Sequence, residues 1–287
     1  MKRIGIAFGG GGARGLAHIS MIEIFEELGV KPSLISGSSI GSIIGAFYAA
    51  GYSSEEMKAK LQRLLFPRND KPFDFLWKSD MVKMFSMFDP QFFKSGLLKG
   101  EKFYNFLQEE LAVDSFEKLK IPLKIVATDY WDKEEVIFNK GNLLPAIRAS
   151  YSLPGLLTPV KIKNRILIDG GIVNPLPFDI LLDECDITVA IDITAYRTNN
   201  GKTYPPTFES IFTAYQMMQH SLNQQKLKFI RPDIYIRPEI FDVRVFDFSK
   251  HESIFKQSIP AKEMLKKQLE KILNQKAITG NSRNTVP

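Results

Sequence analysis

The sequence predicts a single three-layer α/β/α domain on a mostly parallel central sheet. Residues 3–41 read as strand, glycine-rich turn, helix, strand, and the right-handed crossover of such a unit sets its two strands parallel. Extended and helical runs then continue along the chain, as such layered folds require. With 287 residues, 44% hydrophobic and 24% charged, the chain can bury one sizeable core, and no linker argues for separate domains.

Each element has a local reason. Arg3 to Phe8 is a short apolar run that enters the glycine stretch Gly9–Gly12. A helix over 14–28 gathers Ala17, Met21, Ile22, Ile24, Phe25 and Leu28 on one broad face, with Glu23, Glu26 and Glu27 towards the other. Gly29 ends it. A second extended run, 33–36, enters Gly37-Ser38-Ser39-Ile40-Gly41, and the apolar segment Ile43–Ala50 follows as a buried helix stopped by Gly51. A helix over 53–64 carries Glu55 and Glu56 in its first turn, where the helix dipole favours acids. Residues 66–98 combine three prolines with eight aromatics and show no clean period. Beyond them the pattern predicts a helix over 98–111, a strand over 123–128 with a short extended partner at 136–138, and a hairpin over 160–168 turning at Lys163-Asn164. A strand over 187–193, a loop over 198–206, a Met- and Gln-rich helix over 208–229, a strand over 233–237 and a basic, exposed helix over 260–275 complete the chain, with a disordered tail at 277–287.

Charge and composition exclude several classes. The net charge of +6 favours anionic partners, but the lysines are dispersed among acids, so no nucleic-acid partner is expected. The single cysteine, Cys185, permits no intrachain disulfide and fits a reducing compartment. No apolar stretch is long enough to span a bilayer, and the one after Met1 is too short for a secretion signal. These features predict a cytoplasmic protein with peripheral membrane contact. The acids do not cluster at ligand spacing, so neither a metal nor another cofactor is expected.

Gly-x-Ser-x-Gly at 37–41 puts Ser39 at the apex of a strand–helix turn, beside the first free N–H groups of the helix. A plain glycine turn before a core helix fits the same five residues. The earlier glycine run satisfies Gly-x-Gly-x-x-Gly at Gly10, Gly12 and Gly15, but the second strand lacks the acid that a dinucleotide ribose needs. A nucleotide-binding oxidoreductase is therefore disfavoured. What remains is a set of peptide N–H groups able to bind negative charge, such as the oxyanion of an acyl-transfer intermediate, with Arg14 as a cation at the rim. A serine also needs a base. His18 lies on an apolar helix face, and His220 and His251 sit in no motif, so none is an obvious partner. Asp169, after the apolar run Ile166–Ile168 and before Gly170-Gly171, is a plain Asp-Gly turn residue or that base.

Gly10-Gly11-Gly12-Ala13-Arg14-Gly15, Gly37-Ser38-Ser39-Ile40-Gly41 and Asp169-Gly170-Gly171, with Ala146–Gly155 ahead of the third, together resemble the patatin-like phospholipase family, especially its small bacterial members. The match spans about residues 3–195 in the family's order. The resemblance implies a patatin-like catalytic core over 1–200, with a helix–strand–helix extension over 201–276 packed on the same domain. It implies a Ser-Asp dyad of Ser39 and Asp169, an oxyanion hole of Gly10, Gly11 and Gly12, and supporting roles for Arg14, Gly15, Gly37, Gly41, Gly170 and Gly171. The implied activity is hydrolysis of phospholipid or lysophospholipid acyl esters through an acyl-enzyme. Thioesterase or acyltransferase chemistry on the same site, and a non-catalytic lipid-binding protein, remain as alternatives, and the oligomeric state stays open. Residues 66–98, with the adjacent Phe92 and Phe93, are expected either to form a lipid-facing lid or to cap the core.

Overall fold

A computed structural model describes residues 2–65, 100–194 and 207–280. The strands are β1 (Ile4–Phe8), β2 (Leu34–Ser38), β3 (Leu123–Asp129), β4 (Glu135–Phe138), β5 (Val160–Ile162), β6 (Arg165–Asp169), β7 (Ile187–Ile191) and β8 (Ile234–Ile236). The helices are α1 (Ala17–Glu27), α2 (Ile40–Ala50), α3 (Ser54–Leu65), α4 (Glu101–Glu110), α5 (Leu143–Tyr151), α6 (Thr207–Phe229), α7 (His251–Gln257) and α8 (Ile259–Gly280). The aromatic stretch 66–98, with Phe92 and Phe93, the loop at 198–206 and the chain beyond 280 lie outside the described residues.

The strands β3-β2-β1-β7-β8 form a parallel sheet, to which β4, β5 and β6 add an antiparallel flank. Alternation along β1 explains the unequal faces. Ile4, Ile6 and Phe8 point into the main core under α1 and α2, whereas Ala7 points the other way. That second face is covered by a thinner layer, in which Leu176, Phe178, Leu181 and Cys185 pack against Ala7, Leu34 and Ala190 with Leu227 of α6 beside them.

Two helices depart from the expected pattern. The glycine run opens as a tight 3-10 turn over Gly12–Leu16, so the regular helix starts at Ala17 rather than Arg14. The helix expected to be exposed, α8, runs past Gln275 to Gly280 and packs on α1, burying Ala261, Leu265 and Leu269. Lys262 pairs with Glu23, and Lys266 Nζ lies 2.5 Å from Glu27 Oε1. Its basic residues thus flank a buried stripe, which their number obscured in the sequence.

Strand register brings distant residues together. Ala127 pairs with Val136 of β4 and Asp169 of β6, while Val126 pairs with Ile137 of β4 and Ser38 of β2. A strand residue has only two hydrogen-bonding edges, so β2 and β6 share the edge opposite β4. Because β2 is parallel to β3 and β6 antiparallel, their C-terminal ends meet head-on.

Candidate active site

At that junction Ser39 follows β2 and caps α2 with φ 53° and ψ −124°, a left-handed conformation that costs a serine roughly 1–3 kcal/mol. The surroundings hold it there. Its N–H donates to Ser150 Oγ at 2.9 Å, and its carbonyl accepts from Ser42 Oγ at 2.7 Å. Gly37 and Gly41 are required by close approach: a Cβ on Gly41 would lie 2.1 Å from the Phe8 carbonyl oxygen, and one on Gly37 2.5 Å from that of Gly41. Gly15 meets Ile40 equally closely, so β1, the glycine turn and the elbow interlock.

Asp169 ends β6 opposite this elbow, buried at 1% exposure. Ser39 Oγ donates to its Oδ2 at 2.7 Å, and the Gly171 N–H donates to Oδ1 at 2.7 Å. Tyr215 Oη of α6 also donates to Oδ1, at 3.0 Å. Burial pushes the carboxyl up to about 6, although all three donors pull it down. Gly170 lets the turn cross the sheet, since a Cβ there would sit 2.1 Å from Val126 O. Gln219 Nε2 braces the turn by donating to Gly171 O at 3.3 Å. The arrangement offers a serine hydroxyl already bonded to a carboxylate whose proton affinity is raised.

No hydrogen bond joins a histidine to Ser39 among the described residues. His18 is fully buried and its Nε2 bonds to Gly9 O at 2.8 Å; burial lowers it to about 4, so the ring is neutral and braces the loop. His220 Nδ1 meets Thr194 Oγ1 at 3.3 Å, and His251 Nδ1 meets Ser249 O at 3.3 Å.

The glycine run needs two corrections. The Gly10 N–H donates to Pro175 O at 2.8 Å, so it is not a donor for a bound anion; tethering β1 to the 170s turn has claimed it. Gly11 and Gly12 line the same cavity as Ser39 and Asp169. Arg14 is not at the rim. It is buried at 2% exposure, and its Nη1 donates to Val243 O at 2.9 Å, while the Ala13 N–H donates to Val245 O at 2.7 Å. The glycine turn therefore docks onto the segment between β8 and α7, where the Val243 carbonyl accepts from the guanidinium and the Val245 carbonyl from the Ala13 N–H.

The cavity, about 90 Å³, is walled mainly by apolar side chains, including Ile43, Phe103, Leu153, Leu157 and Phe248. A second cavity of about 60 Å³ shares Ile40, Ile43, Leu64, Phe103 and Phe248 with it and extends the apolar lining between α2, α3 and α4. Sequence reading missed Tyr215, Gln219 and Ser150. The first two sit on a helix whose Met and Gln content marks no site, and Ser150 is one of several serines in its segment.

A family model described as patatin-like phospholipase matches residues 6–182. An uncharacterized NTE family protein of Mycobacterium tuberculosis is 31% identical over 207 residues, which cover 71% of this chain and 52% of that protein. Lysophospholipase NTE1 of Saccharomyces cerevisiae is 26% identical over 277 residues, covering 88% of this chain and 16% of that protein. The chain thus spans about half the length, or less, of these curated relatives. Among solved structures, VipD from Legionella pneumophila superposes with a TM-score of 0.52 at 13% identity, covering 92% of this chain and 67% of that one, a likeness of fold alone. The family match takes in the glycine turn, the elbow and the Asp-Gly-Gly turn in one continuous span, and the chain belongs to the patatin-like phospholipase family.

Proposed function

We propose that this chain is a serine acyl-ester hydrolase acting on phospholipids or lysophospholipids through Ser39 and Asp169. The observation that carries the reading is the 2.7 Å bond from Ser39 Oγ to the buried Asp169 carboxylate. Ser39 Oγ attacks the ester carbonyl carbon as its proton passes to Asp169 Oδ2. The Gly11 and Gly12 N–H groups face the charge that develops on the carbonyl oxygen. Asp169 returns the proton to the leaving alcohol, which departs and leaves an acyl-enzyme on Ser39. Water then attacks the acyl carbon as its proton passes to the same carboxylate, and Asp169 returns that proton to Ser39 Oγ as the fatty acid leaves. A carboxylate is a weak base, so the raised proton affinity that burial confers brings Asp169 nearer to the working pH. The apolar cavities suit an acyl chain, and the lysophospholipase named among the relatives agrees with a lysolipid substrate.

Fatty-acid release from phospholipids, lysophospholipids, neutral esters and acyl thioesters tests the proposal. Turnover of the first two is expected. Turnover confined to thioesters would replace the reading with a thioesterase, and no turnover of any substrate would overturn it.

Tyr215→Phe provides a subtler check. It removes a donor that favours the carboxylate, so the acid limb of the kcat/KM profile, expected near pH 6, should move to higher pH. A change of rate at an unmoved midpoint would mean that Tyr215 only packs.

A further inference from the structure

Helix α6 buries a mixed face: polar Tyr215, Gln219, Asn223 and Lys226, at i, i+4, i+8 and i+11, point inward beside the apolar Phe212 and Leu227. Tyr215 and Gln219 bond to the Asp169–Gly171 turn, and Lys226 Nζ reaches Asn174 Oδ1 at 2.5 Å and Asp179 Oδ1 at 2.6 Å. An apolar stripe runs along its exposed side. Ile211, Met218, Leu222 and Phe229, at i, i+7, i+11 and i+18, fall within about 20° of one line and extend for about 27 Å. They are 60%, 59%, 40% and 85% exposed, whereas an ordinary surface helix turns its apolar stripe to the core.

We propose that this stripe is the surface by which the protein seats on a bilayer carrying anionic headgroups. Two observations favour lipid over another occupant. From Ser210 to Phe229 the helix contains no carboxylate, while exposed Lys228 lies near its Phe229 end and exposed Arg231 just beyond it. Cations beside a shallow apolar stripe meet phosphate while the apolar side chains enter the headgroup–acyl boundary. The same helix also carries Tyr215, Gln216 and Gln219, which line the cavity with Ser39 and Asp169. A bilayer seated on the stripe would therefore lie one helix away from the cavity that receives the ester. This inference takes its lipid substrate from the reading above, but binding can be measured without hydrolysis.

The test is flotation with phosphatidylcholine vesicles containing phosphatidylglycerol, using the full chain with Ser39→Ala so that the vesicles stay intact. Met218→Ser, Leu222→Ser and Phe229→Ser should each weaken vesicle affinity by up to about tenfold, and the triple variant should abolish flotation. Lys228→Glu should weaken binding only to the anionic vesicles. In the chain with Ser39 intact, the same substitutions should leave turnover of a short soluble ester unchanged. Flotation of the triple variant equal to that of its parent would overturn the proposal. So would conversion of a dimer to a monomer without loss of flotation, which would assign the stripe to a second copy. A lowered melting temperature for Phe229→Ser with flotation retained would assign it to another part of this chain. Loss of flotation by the triple variant would uphold the docking surface even if no ester were hydrolysed.

Discussion

Replacing Ser39 by Ala should reduce fatty-acid release by about 10⁴-fold or more, because the nucleophile and its base act as a unit. Reaction with a fluorophosphonate should disappear with it. Ser38→Ala is the control, since Ser38 is fully buried in the last position of β2, and at least part of both signals should remain. The fold should survive Ser39→Ala: the bonds to Ser150 and Ser42 use the backbone of residue 39, not its hydroxyl. Labelling that persists in Ser39→Ala would show that another residue is the nucleophile.

Asp169→Asn should be as severe, with a loss of roughly 10⁴-fold, yet should leave the fold intact. An asparagine Oδ1 still accepts from Gly171 N–H and Tyr215 Oη, while its amide can donate to Ser39 Oγ but cannot take the proton. Stability should move the other way. The folded carboxyl titrates near 6 against an ordinary 3.8, so the folded state binds more protons between those values. Stability contributed by this group is therefore present at low pH and falls as pH rises through that window, by roughly 3 kcal/mol in all. The neutral amide avoids that loss, so Asp169→Asn should melt at or above the wild-type temperature at pH 7.5. In the wild type, kcat/KM should rise with pH to a plateau above about 6. An inactive Asp169→Asn with a lower melting temperature would point to lost structure rather than lost chemistry.

Much of this was legible in the chain because it is local. Glycines at 37 and 41 mark a tight turn, and the short apolar run Arg3–Phe8 and the longer one Ile43–Ala50 mark a strand and a buried helix without outside help. The resemblance to the family likewise rested on three short motifs, each read within a few residues. The failures share a cause too. Arg14 and the Gly10 N–H looked available because their acceptors, Val243 O and Pro175 O, come from far along the chain. α8 looked exposed because α1, which covers its apolar stripe, lies at the other end of the sequence.

The sequence by itself determined the early strand–turn–helix–strand order, which short-range periodicity decides, and the resemblance carried by its three motifs together singled out the elbow serine and the Asp-Gly-Gly turn. Only the tertiary structure decided that Ser39 and Asp169 touch, because this depends on β2 and β6 sharing one edge of β3, a register formed by pairing between separate segments. It alone supplied Tyr215 and Gln219, whose helix lies beyond the three motifs and reaches the carboxylate by packing across the turn. It also set the proton affinity of Asp169, because desolvation comes from the burial of the whole site rather than from any neighbour in sequence.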